Sequence, residues 1–124
     1  MQQLLPGSRW EQLVWIDLSH NRLTSVDKHW QSLPQLKNLY LHVNYISSFK
    51  EFEKLQEAKL LRTFTIHGNP IENFPEFRSL LTCILPQLQK IDSALLTKRE
   101  KERGAVLKSQ GNKYPIIANP HKPP

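Results

Sequence analysis

The chain is poor in the residues that most chemistry needs. Its 124 residues include one cysteine, one methionine and four glycines. Cys83 has no second cysteine to pair with, and no Asn-x-Ser/Thr glycosylation acceptor occurs. Both point to a reducing, cytoplasmic compartment. Cys83 falls among Leu80, Leu81, Ile84 and Leu85 and reads as a small buried hydrophobe rather than a nucleophile. Four glycines do not make a phosphate-cradling loop. No arrangement of Ser, His and Asp argues for a nucleophile with its base and orienter. Nothing here supports an enzyme, a cofactor or a small-molecule substrate. No apolar run approaches the roughly 18 residues of a membrane span, and residues 1–10 show no signal peptide. A membrane partner is therefore not expected.

What the chain has in plenty is repetition. Leu13-x-x-Ile16-x-Leu18-x-x-Asn21-x-Leu23 returns 23 residues later as Leu36-x-x-Leu39-x-Leu41-x-x-Asn44-x-Ile46. After 25 more residues it returns as Leu61-x-x-Phe64-x-Ile66-x-x-Asn69-x-Ile71. Periods of roughly 20–29 residues with this pattern mark leucine-rich repeats. The alternation of inward Leu, Ile and Phe predicts a short strand in each repeat. One repeat cannot bury its apolar face alone, so neighbours must stack around a shared core. The expected fold is α/β: a right-handed leucine-rich-repeat solenoid with a short parallel concave sheet. Its convex side would mix turns and helices, and a helical cap would close its C-terminal end. Asn21, Asn44 and Asn69 recur at one offset, which assigns them to the turn rather than to a ligand. An amide that both donates and accepts can satisfy backbone groups in a buried turn, so the three are expected to stack as an internal ladder.

The convex segments differ from one another. Ser48-Phe49-Lys50-Glu51 has capping-box spacing, with Phe52, Leu55 and Ala58 following at helical intervals. Pro75 suits the first turn of a helix whose buried stripe is Phe77, Leu80, Leu81 and Ile84, ending before Pro86. The shorter segment from Ser25 to Pro34 reads as a turn or two with Trp30 and Leu33 packed inward. A fourth leading leucine, Leu88, opens Leu88-x-x-Ile91-Asp92, but no asparagine follows, as befits a terminal cap. Thr97-Lys98-Arg99-Glu100 then reads as a capping box opening a charged helix to about Lys108. Gly104 inside it costs about 1 kcal/mol relative to alanine, so that helix is expected to need a partner surface. The organisation is then 1–12 as an N-terminal partial cap, 13–96 as the repeat domain with its cap, 97–108 as a charged helix, and 109–124 as an extended, basic, proline-rich tail. Leu4, Leu5 and Trp10 read as a fragment of an earlier repeat or a minimal cap, which makes the first strand a candidate docking edge.

The net charge of +6 is unevenly spread. Residues 97–124 hold seven Lys/Arg against two Glu, whereas residues 1–96 hold ten basic against nine acidic side chains. The repeats are near neutral. The helix and tail are basic, with Lys98, Arg99, Lys101, Arg103, Lys108, Lys113 and Tyr114 as a second candidate contact set suited to an acidic protein surface or another polyanion. The apolar Ile116-Ile117 pair argues against a purely solubilising tail.

The first candidate set is the outward side of the predicted strands: Trp15, Asp17, Lys37, Asn38, Tyr40, His42, Arg62, Thr65 and His67, with Val14, Ser19, Thr63, Lys90 and Asp92 around them. Trp15 and Tyr40 are the aromatics expected to anchor an interface. His42 and His67 are equivalent in adjacent repeats and should lie about 5 Å apart, one strand spacing. Too few further ligands are in register for a metal. Aromatics beside Lys37 and Arg62 could stack on single-stranded RNA, but the face is close to neutral, so nucleic acid is not the expected partner.

Several segments together resemble a known class. They are Leu13-Val14-Trp15-Ile16-Asp17-Leu18-Ser19, Leu39-Tyr40-Leu41-His42, the His67-Gly68-Asn69-Pro70 turn, the Phe77 helix, Leu85-Pro86-Gln87-Leu88, and Ile91-Asp92 with the Thr97–Arg103 cap. The chain resembles the short intracellular leucine-rich-repeat proteins, which include phosphatase-regulating and dynein light-chain members. Within them it looks like the leucine-rich repeat-containing protein 51 family over about residues 10–108. Val43 stands where the third repeat has glycine, Phe77 replaces a typical cap tyrosine, and that family's N-terminal extension is not seen. The resemblance implies a structural protein of the cilium or flagellum axoneme, partnered by tubulin or axonemal proteins within a large assembly. Other members of the class imply a regulatory module for a phosphatase or dynein, or a ribonucleoprotein scaffold.

Overall fold

The computed structural model describes residues 11–27, 30 and 33–111. Leu4, Leu5 and Trp10 at one end, and Lys113, Tyr114, Ile116 and Ile117 at the other, lie outside the described residues. A five-stranded sheet runs in sequence order: β1 (Trp15–Asp17), β2 (Asn38–Tyr40), β3 (Thr63–Thr65), β4 (Lys90–Ile91) and β5 (Ala94–Leu95). The first four are parallel; β5 folds back antiparallel on β4. Ile16, Leu39, Phe64 and Ile91 share one register line and are all buried. Behind them lies a single core that includes Leu36, Leu41, Leu61 and Ile66 from the repeats, with Trp30, Phe49, Phe52 and Leu55 from the returning segments. Each strand is only two or three residues long, so the inward positions set by period two hold the stack together.

Two asparagines form the ladder and one does not. Asn69, fully buried, accepts the Ile46 N–H (2.9 Å) and donates to Leu41 O and Ile66 O (2.9 Å each), so one amide ties its repeat to the preceding one. Asn44 repeats the scheme with Leu23 N–H, Leu18 O and Leu41 O. Among the described residues Asn21 bonds only within its own turn, to Leu18 O and Ser19 O, and is exposed. The expectation of three buried amides is corrected: among the described residues, no repeat precedes Asn21 to supply the other half of its bonds.

The convex side also departs from expectation. After Ile46 the chain forms a 3₁₀-helix, Phe49–Leu55, and the Ser48 side chain makes no capping bond. The Glu51 carboxylate is drawn instead to the neighbouring repeat, where it accepts Val26 N–H (3.0 Å), while Lys54 one turn along its own helix donates to it (2.7 Å). Phe49, Phe52, Leu55 and Ala58 are buried, and the tighter 3₁₀ spiral fits a short connection of this kind. Pro70 opens a second 3₁₀-helix, Pro70–Asn73, with Asn69 at the N-cap position and its side chain making no capping bond. Pro75 lies before the α-helix rather than in its first turn, because α1 (Phe77–Ile84) is entered through Glu76 at φ 62°. Phe77 is half-buried, and Leu80, Leu81 and Ile84 are buried.

The C-terminal end of the sheet is closed by three devices. Asp92 turns at φ 58°, and its carboxylate accepts Ile66 N–H (2.8 Å) and His67 N–H (3.0 Å). Inner repeats pass the N–H matching Ile66 to the next strand, as Leu41 N–H to Thr65 O shows. Asp92 was expected on the outward face; it serves the backbone instead, where the strand stops early. Arg78 of α1 then reaches under the hairpin, donating to Ile91 O (2.8 Å), Ala94 O (3.1 Å) and Leu95 O (3.2 Å), and pairs with Glu100 (2.7 Å). The hydrogen bond from Arg78 holds the Glu100 carboxyl below the usual carboxylate range. The third device is α2 (Lys98–Ser109), opened by a complete Thr97/Glu100 capping box and lying along α1. Gly104 is buried at that contact, so α1 is the partner surface the helix needs.

Candidate interaction face of the sheet

Successive side chains of a strand point to opposite faces, so the residues flanking the buried line face outward together. Trp15 of β1 is 59% exposed, with its ring 6.4 Å from Tyr40 of β2. Tyr40 lies 6.5 Å from His42, and His42 stacks on His67 at 4.6 Å with ring planes 16° apart. His20, in the turn of the first repeat, completes the run edge-on to His42 at 5.4 Å. The rings thus form a connected aromatic surface across three repeats. Such residues supply large contact area at little conformational cost.

The polar groups of the face are partly committed. Asp17 accepts the Ser19 hydroxyl (2.6 Å) and N–H (3.0 Å), which together hold its carboxyl below the ordinary range. Thr65 Oγ1 receives the Leu41 N–H (3.1 Å) and contacts His42 Nδ1 (2.8 Å). Arg62 folds back to donate to Lys59 O (2.7 Å) and Leu61 O (3.1 Å). Lys37 is exposed, while Asn38 and Thr63 are half-buried beside it.

His42 is held below its ordinary pKa by burial first and by His67 second, against the opposing pull of Asp17 and Asp92. A folded-state pKa below the unfolded value of 6.5 means that the unfolded chain binds the proton more readily. The stability that the neutral ring contributes is complete above pH 6.5 and is lost as the pH falls through the folded value. The urea midpoint should therefore fall between pH 7 and pH 5.5, and His42→Gln should flatten that part of the curve. An equal slope in both proteins would refute this account.

The second candidate set is divided. Lys98, Arg99, Lys101 and Lys108 are exposed on α2. Arg103 is paired with Glu76 at 2.8 Å, which ties α2 to the entrance of α1. Lys113 and Tyr114 lie outside the described residues. Sequence reasoning missed Leu95, 71% exposed on β5, and His20. The signal for Leu95 was present: Asp92-Ser93 between two short alternating runs is hairpin spacing. Among the described residues no group of three or more His, Cys, Asp or Glu is placed to hold a metal, and no helix is long and apolar enough to cross a membrane.

Comparison with known proteins agrees with the fold. A leucine rich repeat family model matches residues 11–71. Leucine-rich repeat-containing protein 51 of Bos taurus is 41% identical over 98 residues, covering 79% of this chain and 51% of the relative. The Mus musculus protein of that name is 39% identical over 103 residues, 83% of this chain and 54% of its own. The chain thus spans about half the length of the curated relatives it matches. Among solved structures, a chain of the Drosophila melanogaster SNF/U2A′ complex superposes with a TM-score of 0.70 at 20% identity, covering 78% of this chain and 56% of that one. That likeness concerns the fold alone.

Proposed function

We propose, from the premise that this chain belongs to the leucine-rich repeat-containing protein 51 family of leucine-rich-repeat proteins, that it holds another protein against the outward face of its sheet as a structural part of an axonemal assembly. The fold is that of a binding module. The observation that carries the reading is the aromatic run Trp15–Tyr40–His42–His67, exposed at both ends and half-buried between, continuous over three repeats and outside the core. The axonemal setting is supported by the resemblance of repeats and cap. It is also supported by the exposed Lys98, Arg99, Lys101 and Lys108 on α2, a basic surface suited to an acidic protein lattice.

The test places a photo-crosslinking amino acid at Tyr40 on the sheet face or at Glu57 on the convex side, in ciliated cells. Adducts form from position 40, and the adduct stays with detergent-extracted axonemes at low salt. Adducts from position 57 alone would overturn the assignment of the face. Release of the position-40 adduct by detergent would overturn the axonemal setting and leave the face intact.

A further inference from the structure

Following the register across the sheet links Trp15 to Asn38, Asn38 to Thr63, Thr63 to Lys90, and Lys90 to Leu95. Directly paired residues project from the same face, so these five form one row across all five strands. Its two ends are the most exposed large hydrophobics among the described residues: Trp15 at 59% and Leu95 at 71%. Between them the row is polar. The four pairings place the ends about 19 Å apart along the backbone, at about 4.8 Å each. Leu95 belongs to no repeat. It is presented by a hairpin that Arg78 holds through Ala94 O and Leu95 O, with Glu100 behind the guanidinium. A leucine so firmly positioned, with most of its side chain in water, is not filling the core.

The charges beside the row are asymmetric. Lys37 immediately precedes Asn38, so with Lys90 it lines the side where the strands begin, while Arg62 is turned back onto Lys59 O and Leu61 O. Asp17 and the histidines His42 and His67 lie on the side where the strands end. Three-residue strands give a face about 10 Å wide, matching the 10–12 Å diameter of an α-helix. Eleven residues of helix span about 16.5 Å and return to the same side, which suits side chains converging over an inwardly curved sheet.

We propose that this row seats an amphipathic α-helix of a partner protein laid across the strands. The helix sets one apolar side chain on Trp15 and another, three turns away, on Leu95, with carboxylates alongside Lys37 and Lys90. This rests on the reading of the sheet face as the binding surface, and it extends that surface onto the cap.

The probe is a stabilised 20-residue helical peptide with two leucines eleven residues apart and glutamates along one side, followed by fluorescence anisotropy against the full chain. It binds, and Leu95→Ser and Trp15→Ala each weaken it at least tenfold with the melting temperature unchanged. A peptide with its leucines seven residues apart, or with lysine in place of glutamate, also binds at least tenfold more weakly. No binding, equal binding of the seven-residue peptide, or indifference to Leu95→Ser overturns the proposal. If Leu95→Ser is silent while Tyr40→Ala abolishes binding, the face stands as a docking surface and the seat across the cap falls.

Discussion

Asn69→Ala should unfold the chain far more readily than Asn21→Ala, although the two asparagines hold the same place in the repeat pattern. Removing the Asn69 amide strips Ile46 N–H and Ile66 O of partners in a fully buried turn, while Leu41 O keeps its bond from Asn44. Two buried polar groups left unsatisfied cost about 4 kcal/mol together. For a domain of this size that lowers the melting temperature by roughly 15 °C. Asn21 is exposed and, among the described residues, bonds only to Leu18 O and Ser19 O, groups that water can serve, so its loss should stay under about 1 kcal/mol. Thermal melts followed by circular dichroism compare the two directly. Similar losses at both positions would mean that the amides act locally rather than as bridges between repeats.

Gly104→Ala should destabilise, against the direction that helix propensity gives. In an exposed helix alanine gains about 1 kcal/mol over glycine. Here a Cβ would meet Thr82 Oγ1 at 2.1 Å, Ser79 O at 3.0 Å and Cys83 N at 3.1 Å. Thr82 cannot simply swing away, because its hydroxyl is buried and donates to Ser79 O at 2.7 Å. Forcing α2 off α1 exceeds the propensity gain, for a net loss of about 2 kcal/mol. Thr82→Ala removes the closest contact but leaves the two backbone ones, so the double variant should recover part of the loss, with a coupling of about 1 kcal/mol. A more stable Gly104→Ala protein would show that the two helices do not approach so closely.

How much of this was legible depended on sequence distance. Leu13, Leu36 and Leu61 announce their repeats because stacking forces one spacing on every coil. Trp15, Tyr40, His42 and His67 could be placed outward because a strand alternates. Asn21 misled because the pattern records its position in a repeat and not whether a repeat covers it. Glu51 misled because a capping box is a local signal, and its carboxylate found Val26 of the neighbouring coil. Gly104 was read as a local cost, yet its contact lies on another helix. Leu95 passed unnoticed because its only signal was the two-residue turn Asp92-Ser93 before it, and a two-residue strand adds no alternation of its own. Arg78, which shapes the whole cap, acts through bonds 13 to 22 residues away that no short window contains.

The guanidinium beneath the hairpin has one more effect. The last strand of an open sheet ordinarily offers bare carbonyls to any passing chain, which is how strands of separate molecules zip together into fibrils. At Ala94 and Leu95 those acceptors already hold a buttressed cation. At these two positions the rim therefore offers a poorer template for an added strand than bare carbonyls would.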